Sequence, residues 1–190
     1  MAQPVRSDAR RNREKLLEVA TAAFATAEGR PVSLESIARE AGVGIGTLYR
    51  HFPNREALVE AVYRAELAEV AAAAGQLLRR HPPRVALRCW MDRYASFVAA
   101  KRGMAESLRA MVDSGAVEIS QTRASIVGAV DMLLRAGADD GSLRCDVQAD
   151  DVVSSLIGIF LATASPDQTG RMLDLLVAGV AAAGPPARRA

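Results

Sequence analysis

Apolar residues recur along this chain at helical spacing, and turn residues separate the runs. Leu34, Ile37, Ala38 and Ala41 fall at i, i+3, i+4 and i+7, one face of a short helix. Ser33 stands before it as an N-cap, and Gly42 follows where a helix end favours positive φ. A second short helix runs from about Ile45 to His51, held inward by Leu48 and Phe52 and stopped by Pro53. Ahead of this pair, Asp8 to Ala27 predicts a helix whose buried stripe is Leu17, Ala20, Phe24 and Ala27, with Phe24 the main anchor; Glu28 to Pro31 ends it. Val32 is placed to staple against Ile37. Behind the pair, Asn54 caps a long helix to about Arg80, with Leu58 and Val62 serving its first half and Leu67, Val70, Ala74, Leu77 and Leu78 its second. Further helices are predicted at Arg84–Arg102, Met104–Val112, Val117–Ala136, Ala149–Ala164 and Pro166 to near Ala183. No alternating stretch carries hairpin chemistry, so the expected fold class is all-α.

A helix as short as Ile45–His51 is not stable alone in water, so it must be braced by a scaffold and used for its outer face. Two helices joined by a tight turn, with polar residues on the second, form a helix-turn-helix suited to a DNA major groove. Gly44 and Gly46 let the backbone approach a phosphate or base edge closely. Thr47 lies in the first turn, where an anion is favoured, and Tyr49 and His51 offer hydrogen bonds to phosphate oxygens. Ile45 and Arg50 are candidates for base contact, the first to a thymine methyl and the second to guanine O6 and N7. The alternatives are that Tyr49 packs at the domain edge and that His51 is buried beside Phe52. Arg10, Arg11 and Arg13 cluster at the chain start as expected phosphate contacts, and Ser33 joins the same set. Arg6 fits an arm on DNA or a solubilising tail equally. Arg55, in the first turn of a helix, opposes the dipole at about 0.3–1 kcal/mol, a cost that a bound phosphate would reverse.

The run Leu34-x-x-Ile37-Ala38-x-x-Ala41-Gly42-Val43-x-x-Gly46-Thr47-Leu48-Tyr49-x-His51-Phe52-x-Asn54-Arg55-x-x-Leu58 closely resembles the DNA-binding domain of TetR-family transcriptional regulators. The resemblance covers roughly residues 13 to 63. It implies phosphate contacts for Thr47, Tyr49 and His51, while the base-reading residues vary between members. The stretch around Trp90, Tyr94, Phe97, Lys101, Gly103 and Met104 is similar to the C-terminal domains of SbtR-like members. The implied architecture is a three-helix helix-turn-helix domain at 8–55, continuing into the long helix to about 63. That helix joins it to a helical effector-binding and dimerisation domain at 64–183. One rod shared by two cores would act as a lever, with disordered tails at 1–7 and 184–190.

Composition adds exclusions. Hydrophobic residues make up 50% and charged residues 24% of the 190, ordinary for a globular chain. The net charge is +2, but the first 55 residues carry nine Lys/Arg against six Asp/Glu, so the excess is local. Cys89 and Cys145 are far apart, with no second ligand at metal spacing, so neither a disulfide framework nor a metal site is expected. No signal peptide, membrane span or cofactor loop is legible, which fits a cytoplasmic protein without cofactors. An enzyme reading fails because the two histidines, His51 and His81, lie outside the helical body and no nucleophile elbow or P-loop occurs.

Within the body, Trp90, Tyr94, Phe97, Met104, Leu108, Met111, Ile126, Val130 and Leu133 either form plain core or enclose a pocket for a small apolar or amphipathic effector. The last two helices carry apolar stripes wider than one core needs. This predicts a homodimer interface of Val153, Leu156, Ile157, Phe160, Leu161, Leu173, Leu176, Val177 and Val180. The expected partners are thus a double-stranded DNA operator, a second copy and an effector, with no membrane. The rival reading is a DNA-binding or architectural protein without an effector.

Overall fold

A computed structural model describes residues 4–26, 32–101 and 119–182 of the protein. Eight helices lie among the described residues: α1 Pro4–Thr26, α2 Leu34–Glu40, α3 Ile45–His51, α4 Arg55–Leu78, α5 Pro83–Lys101, α6 Ile119–Asp139, α7 Ala149–Ala162 and α8 Pro166–Val180. The turn expected at Glu28–Pro31, the helix expected at Met104–Val112 and the tail at 184–190 lie outside the described residues. Helix α1 begins at Pro4 rather than Asp8, so the expected disorder of 1–7 is corrected for its last residues. A proline early in a helix is compatible with that start, because its missing N–H has no helical acceptor there.

The chain divides into two compact units, Met1–Glu66 with Ala100–Glu118 and Leu67–Ala99 with Ile119–Ala190. The first division falls inside α4, between Glu66 and Leu67.

The first unit is organised on a cluster drawn from four helices. Leu16 and Ala20 come from α1, Ile37 and Ala38 from α2, Leu48 from α3, and Leu58 and Val62 from α4; Ala41 and Phe52 follow α2 and α3. Leu16, not Leu17, is the fully buried leucine of α1, and Phe24 is only half-buried at the cluster edge. The expected anchor role of Phe24 therefore passes to Leu48 and Phe52, which α3 turns directly inward. Lys101 at the end of α5 is buried and ion-paired with Glu66 of α4.

In the second unit, Trp90, Leu87 and Met91 of α5 pack in a core with Ile126, Val130 and Leu133 of α6 and Leu156 of α7. Trp90 Nε1 donates to the Val70 carbonyl at 2.8 Å, which satisfies the buried indole. The Tyr94 ring lies tilted to Trp90, stacked on Phe97 and edge-on to Phe160, with centroids 5.4, 6.2 and 5.5 Å away. Arg88 of α5 donates to Asp174 of α8 at 2.7 Å, and Arg123 of α6 donates to Asp150 and Ser154 of α7, each at 2.9 Å. The connector after α6 is more ordered than its sequence suggests. Leu143 is buried and bridges Ala181, and the Arg144 N–H donates to the Val180 carbonyl at 3.0 Å.

The expected dimer stripe needs correction. Val153, Leu156, Phe160, Leu173, Val177 and Val180 are all buried within the single chain. Helices α7 and α8 turn those positions into the chain's own core, which leaves them little surface to offer a partner. The apolar surface left outside is Ile157 and Leu161 on α7 with Met172 and Leu175 on α8, and Leu176 is half-buried. The error arises from reading one wide stripe as surplus: the helix turns part of it inward before any partner is considered.

Candidate nucleic-acid interface

Local chemistry fixes the angle between α2 and α3. Ser33 caps α2, its Oγ accepting from the Ser36 N–H at 3.4 Å. At the other end Gly42 adopts φ +69, and its N–H donates to the Arg39 carbonyl at 3.1 Å. The Val43 N–H reaches back to the Ala38 carbonyl at 2.9 Å. This pair of bonds is the αL helix stop that frees the chain to start a new helix within a few residues. Gly44 then caps α3 in extended conformation, and the N–H groups of Thr47 and Leu48 bond to its carbonyl at 2.8 and 3.2 Å.

At roughly 100° per residue, α3 sorts its side chains cleanly. Leu48 is fully buried, with Phe52 just past the helix end beside it. Exposed Gly46 and Arg50 lie opposite, and Ile45 and Tyr49, 38% and 46% exposed, continue that outer arc along one side. Thr47 and His51, one turn apart, are half-buried on the flank between the two arcs. This settles the two alternatives left by the sequence. Tyr49 does not pack away, and His51 is neither buried nor fully on the outer face; its ring lies 6.3 Å from that of Phe52.

Gly46 leaves part of the outer arc without a side chain. A Cβ there would meet nothing within 4 Å in the chain itself. The bare spot suits close approach by an external surface.

The arginines divide. Arg10 and Arg11 are exposed and carry only surface ion pairs, to Glu14 at 3.4 Å and Asp8 at 4.0 Å. Such pairs contribute ~0–1 kcal/mol and exchange readily for another anion. Arg13 leans over the Phe52 ring, 5.3 Å from its centroid, and lines a groove of about 400 Å³ with Leu17, His51, Phe52 and Arg64. Arg55 departs furthest from expectation. It is half-buried, its Nη1 donates to the Val32 carbonyl at 2.6 Å, and its guanidinium lies 5.7 Å from the Phe24 ring centroid. Inside the fold the guanidinium therefore already has a carbonyl and a ring beside it, a placement its position in the first turn of α4 did not announce. A charge-assisted bond of ~1.5–3 kcal/mol outweighs the ~0.3–1 kcal/mol of adverse helix dipole. Asn54 Oδ1 accepts from the Ala57 N–H at 2.8 Å and caps α4 beside it.

Ser33 is likewise occupied. Besides capping α2 it donates to Glu35 Oε2 at 2.6 Å, and this bond holds the Glu35 carboxyl below its ordinary range. The Ser33 hydroxyl is thus engaged within the chain, beside a carboxylate.

Of the expected pocket residues, Trp90, Ile126, Val130 and Leu133 are fully buried, while Tyr94 and Phe97 are half-buried. Met104, Leu108 and Met111 lie outside the described residues. No helix among the described residues is long and apolar enough to cross a membrane, and no metal-holding cluster occurs among them.

Comparison with known proteins identifies both halves of the chain. Residues 16–62 match the family of bacterial regulatory proteins of the tetR type. Residues 82–182 match the C-terminal domain of SbtR-like transcriptional regulators. A crystal structure of a TetR transcriptional regulator from Streptomyces coelicolor is 43% identical, covers 90% of this chain and 99% of that one, and superposes with a TM-score of 0.76. A TetR regulator from Mycobacterium vanbaalenii is 32% identical over 94% of this chain and 99% of that one, with a TM-score of 0.70. An HTH-type transcriptional regulator of Staphylococcus aureus is 38% identical over 63 residues, 33% of this chain and 34% of that one. The chain thus spans about a third of the length of such curated relatives. These relatives are transcriptional regulators rather than enzymes. With an outward recognition arc on α3, a braced helix-turn-helix beneath it and both halves matched, the chain belongs to the TetR family of DNA-binding transcriptional regulators.

Proposed function

We propose that this regulator is a cytoplasmic repressor that binds a near-palindromic operator as a homodimer and is released by a small apolar or amphipathic effector. The observation that carries the reading is the outward arc of α3. Ile45, Gly46, Tyr49 and Arg50 share one exposed face, while Leu48 and Phe52 anchor the other. In the groove, Ile45 and Arg50 read base edges, and Gly44 and Gly46 admit close approach. Thr47, Tyr49 and His51 hold phosphates from the arc and its flank, with Arg10 and Arg11 extending the backbone contacts from α1. Arg13 contributes charge from above Phe52. A two-fold pair would place two α3 helices about 34–36 Å apart, one turn of duplex. The apolar residues that α7 and α8 leave exposed support that pairing.

Selection of bound sequences from random duplex DNA tests the proposal. Enrichment of a near-palindrome with half-sites one turn apart is the expected result. Enrichment of an asymmetric site removes the symmetric dimer, and no enrichment removes sequence-specific binding.

A second reading is a regulator with no effector, in which Trp90, Ile126, Val130 and Leu133, all buried, serve as plain core. Small-molecule screening by thermal shift separates the two. A compound that raises the unfolding temperature and weakens operator binding supports release by an effector.

A further inference from the structure

Arg55 occupies a place where a positive side chain would serve DNA, yet it points elsewhere. We propose that Arg55 is a positioning residue for operator binding, which sets the pose of the helix-turn-helix and makes no phosphate contact itself. The inference rests on the DNA-binding reading of α3.

Three elements meet at this side chain. Arg55 belongs to the first turn of α4. Its Nη1 donates at 2.6 Å to the carbonyl of Val32, immediately before the Ser33 cap of α2. Its guanidinium lies over the ring of Phe24, near the end of α1. The start of α2 is thereby tied to the start of α4 and the end of α1 by one planar group. Helix α3 has only Leu48 fully inside, with Phe52 buried just past its end, so its direction depends on where α2 and α4 hold the shared cluster. A shift at the start of α2 passes through the hydrogen-bonded Gly42 turn into α3 and displaces the Ile45–Arg50 arc. Binding in a groove is sensitive to such displacement, because base-edge bonds need defined directions.

The chemistry requires arginine in particular. The fork donates to Val32 while its central carbon lies 5.7 Å from the Phe24 centroid, and a lysine ammonium, a single point on a shorter side chain, reproduces that pair of contacts poorly. For a phosphate, by contrast, lysine is an adequate point charge. Lysine substitution therefore distinguishes the two roles.

The test uses the full-length protein with Arg55→Lys and Arg55→Met, and the duplex selected above as probe. Hydrogen exchange of the free protein is followed alongside, and affinity is measured across a salt series. The expected result is a loss of operator affinity on the order of tenfold in both variants, with the salt slope of wild type retained. Amides of α2 and α3 should exchange faster in both, and those of α6 to α8 should not change. A salt slope reduced by about one, with Lys restoring affinity, makes Arg55 a phosphate contact and overturns the proposal. Faster exchange with unchanged operator affinity makes the tie merely structural and also overturns it. Unchanged exchange overturns it regardless of DNA. If wild type selects no duplex at all, the DNA-binding reading has failed, and the exchange arm alone still decides whether Arg55 holds α2 and α3 in place.

Discussion

Replacing Leu161 and Leu175 together with alanine isolates pairing from folding. In the single chain Leu161 is 83% and Leu175 66% exposed, so neither contributes much to the internal core. A Leu-to-Ala change removes three methylene-sized groups at ~0.8 kcal/mol each, roughly 2.4 kcal/mol when burial is complete. Scaled by the surface still open to a partner, the two positions are worth about 2.0 and 1.6 kcal/mol. A two-fold axis presents each position twice, so the ceiling for the dimer is roughly 7 kcal/mol, or ~10⁵-fold in Kd. Buried area converts to affinity incompletely, but even half of that ceiling is a loss of more than ~10²-fold. Sedimentation equilibrium from nanomolar to micromolar protein reads the change. The thermal midpoint of the monomeric variant, with circular dichroism, checks that folding is intact. A double variant whose dimer Kd stays within tenfold of wild type refutes the assignment of this face. Leu156→Ala is the contrasting case: that side chain is fully buried, and its loss should cost ~2–5 kcal/mol of folding stability whatever happens to pairing.

Four further outcomes are expected. Tyr49→Ala should weaken operator binding by about 1 kcal/mol, some fivefold, while the melting temperature stays within error, because the ring is largely outside the core; unchanged affinity in a gel-shift titration would remove Tyr49 from the contacts. Phe52→Ala should cost ~3–5 kcal/mol of stability in chemical denaturation, since it empties the centre of the cluster and the platform under Arg13. Gly42→Ala forces an L side chain to φ +69 and should cost ~1–2 kcal/mol, with the exchange of the Val43 amide rising if the α2 stop loosens. Arg123→Gln should raise the Asp150 carboxyl toward its ordinary value, because the Arg123 hydrogen bond holds it low. A depressed carboxyl stabilises the fold above its unfolded value of about 3.9, and that contribution disappears as pH falls through the folded value. The wild-type advantage in thermal midpoint should therefore be full near neutrality and shrink as pH falls, leaving only what the Arg123–Ser154 bond contributes; an advantage that does not shrink in acid contradicts the linkage.

The amino-acid sequence alone carried the helix-turn-helix almost to the residue. Spacing placed α2 and α3, Ser33 and Asn54 named their own caps, and Gly42 announced the positive φ that ends α2. These are local properties: a cap, a turn and a seven-residue amphipathic face involve neighbours within a few positions, so nearby residues suffice to specify them. Arg55 was visible as a conflict with its helix dipole, but not its resolution, because Val32 and Phe24 are brought to it only by folding. The wide apolar stripes of α7 and α8 were visible too. Which half faces inward depended on Tyr94 and the rest of the core arriving from other helices. Periodicity states that a face is buried; only the packed chain decides whether the residues covering it belong to that chain or leave room for another.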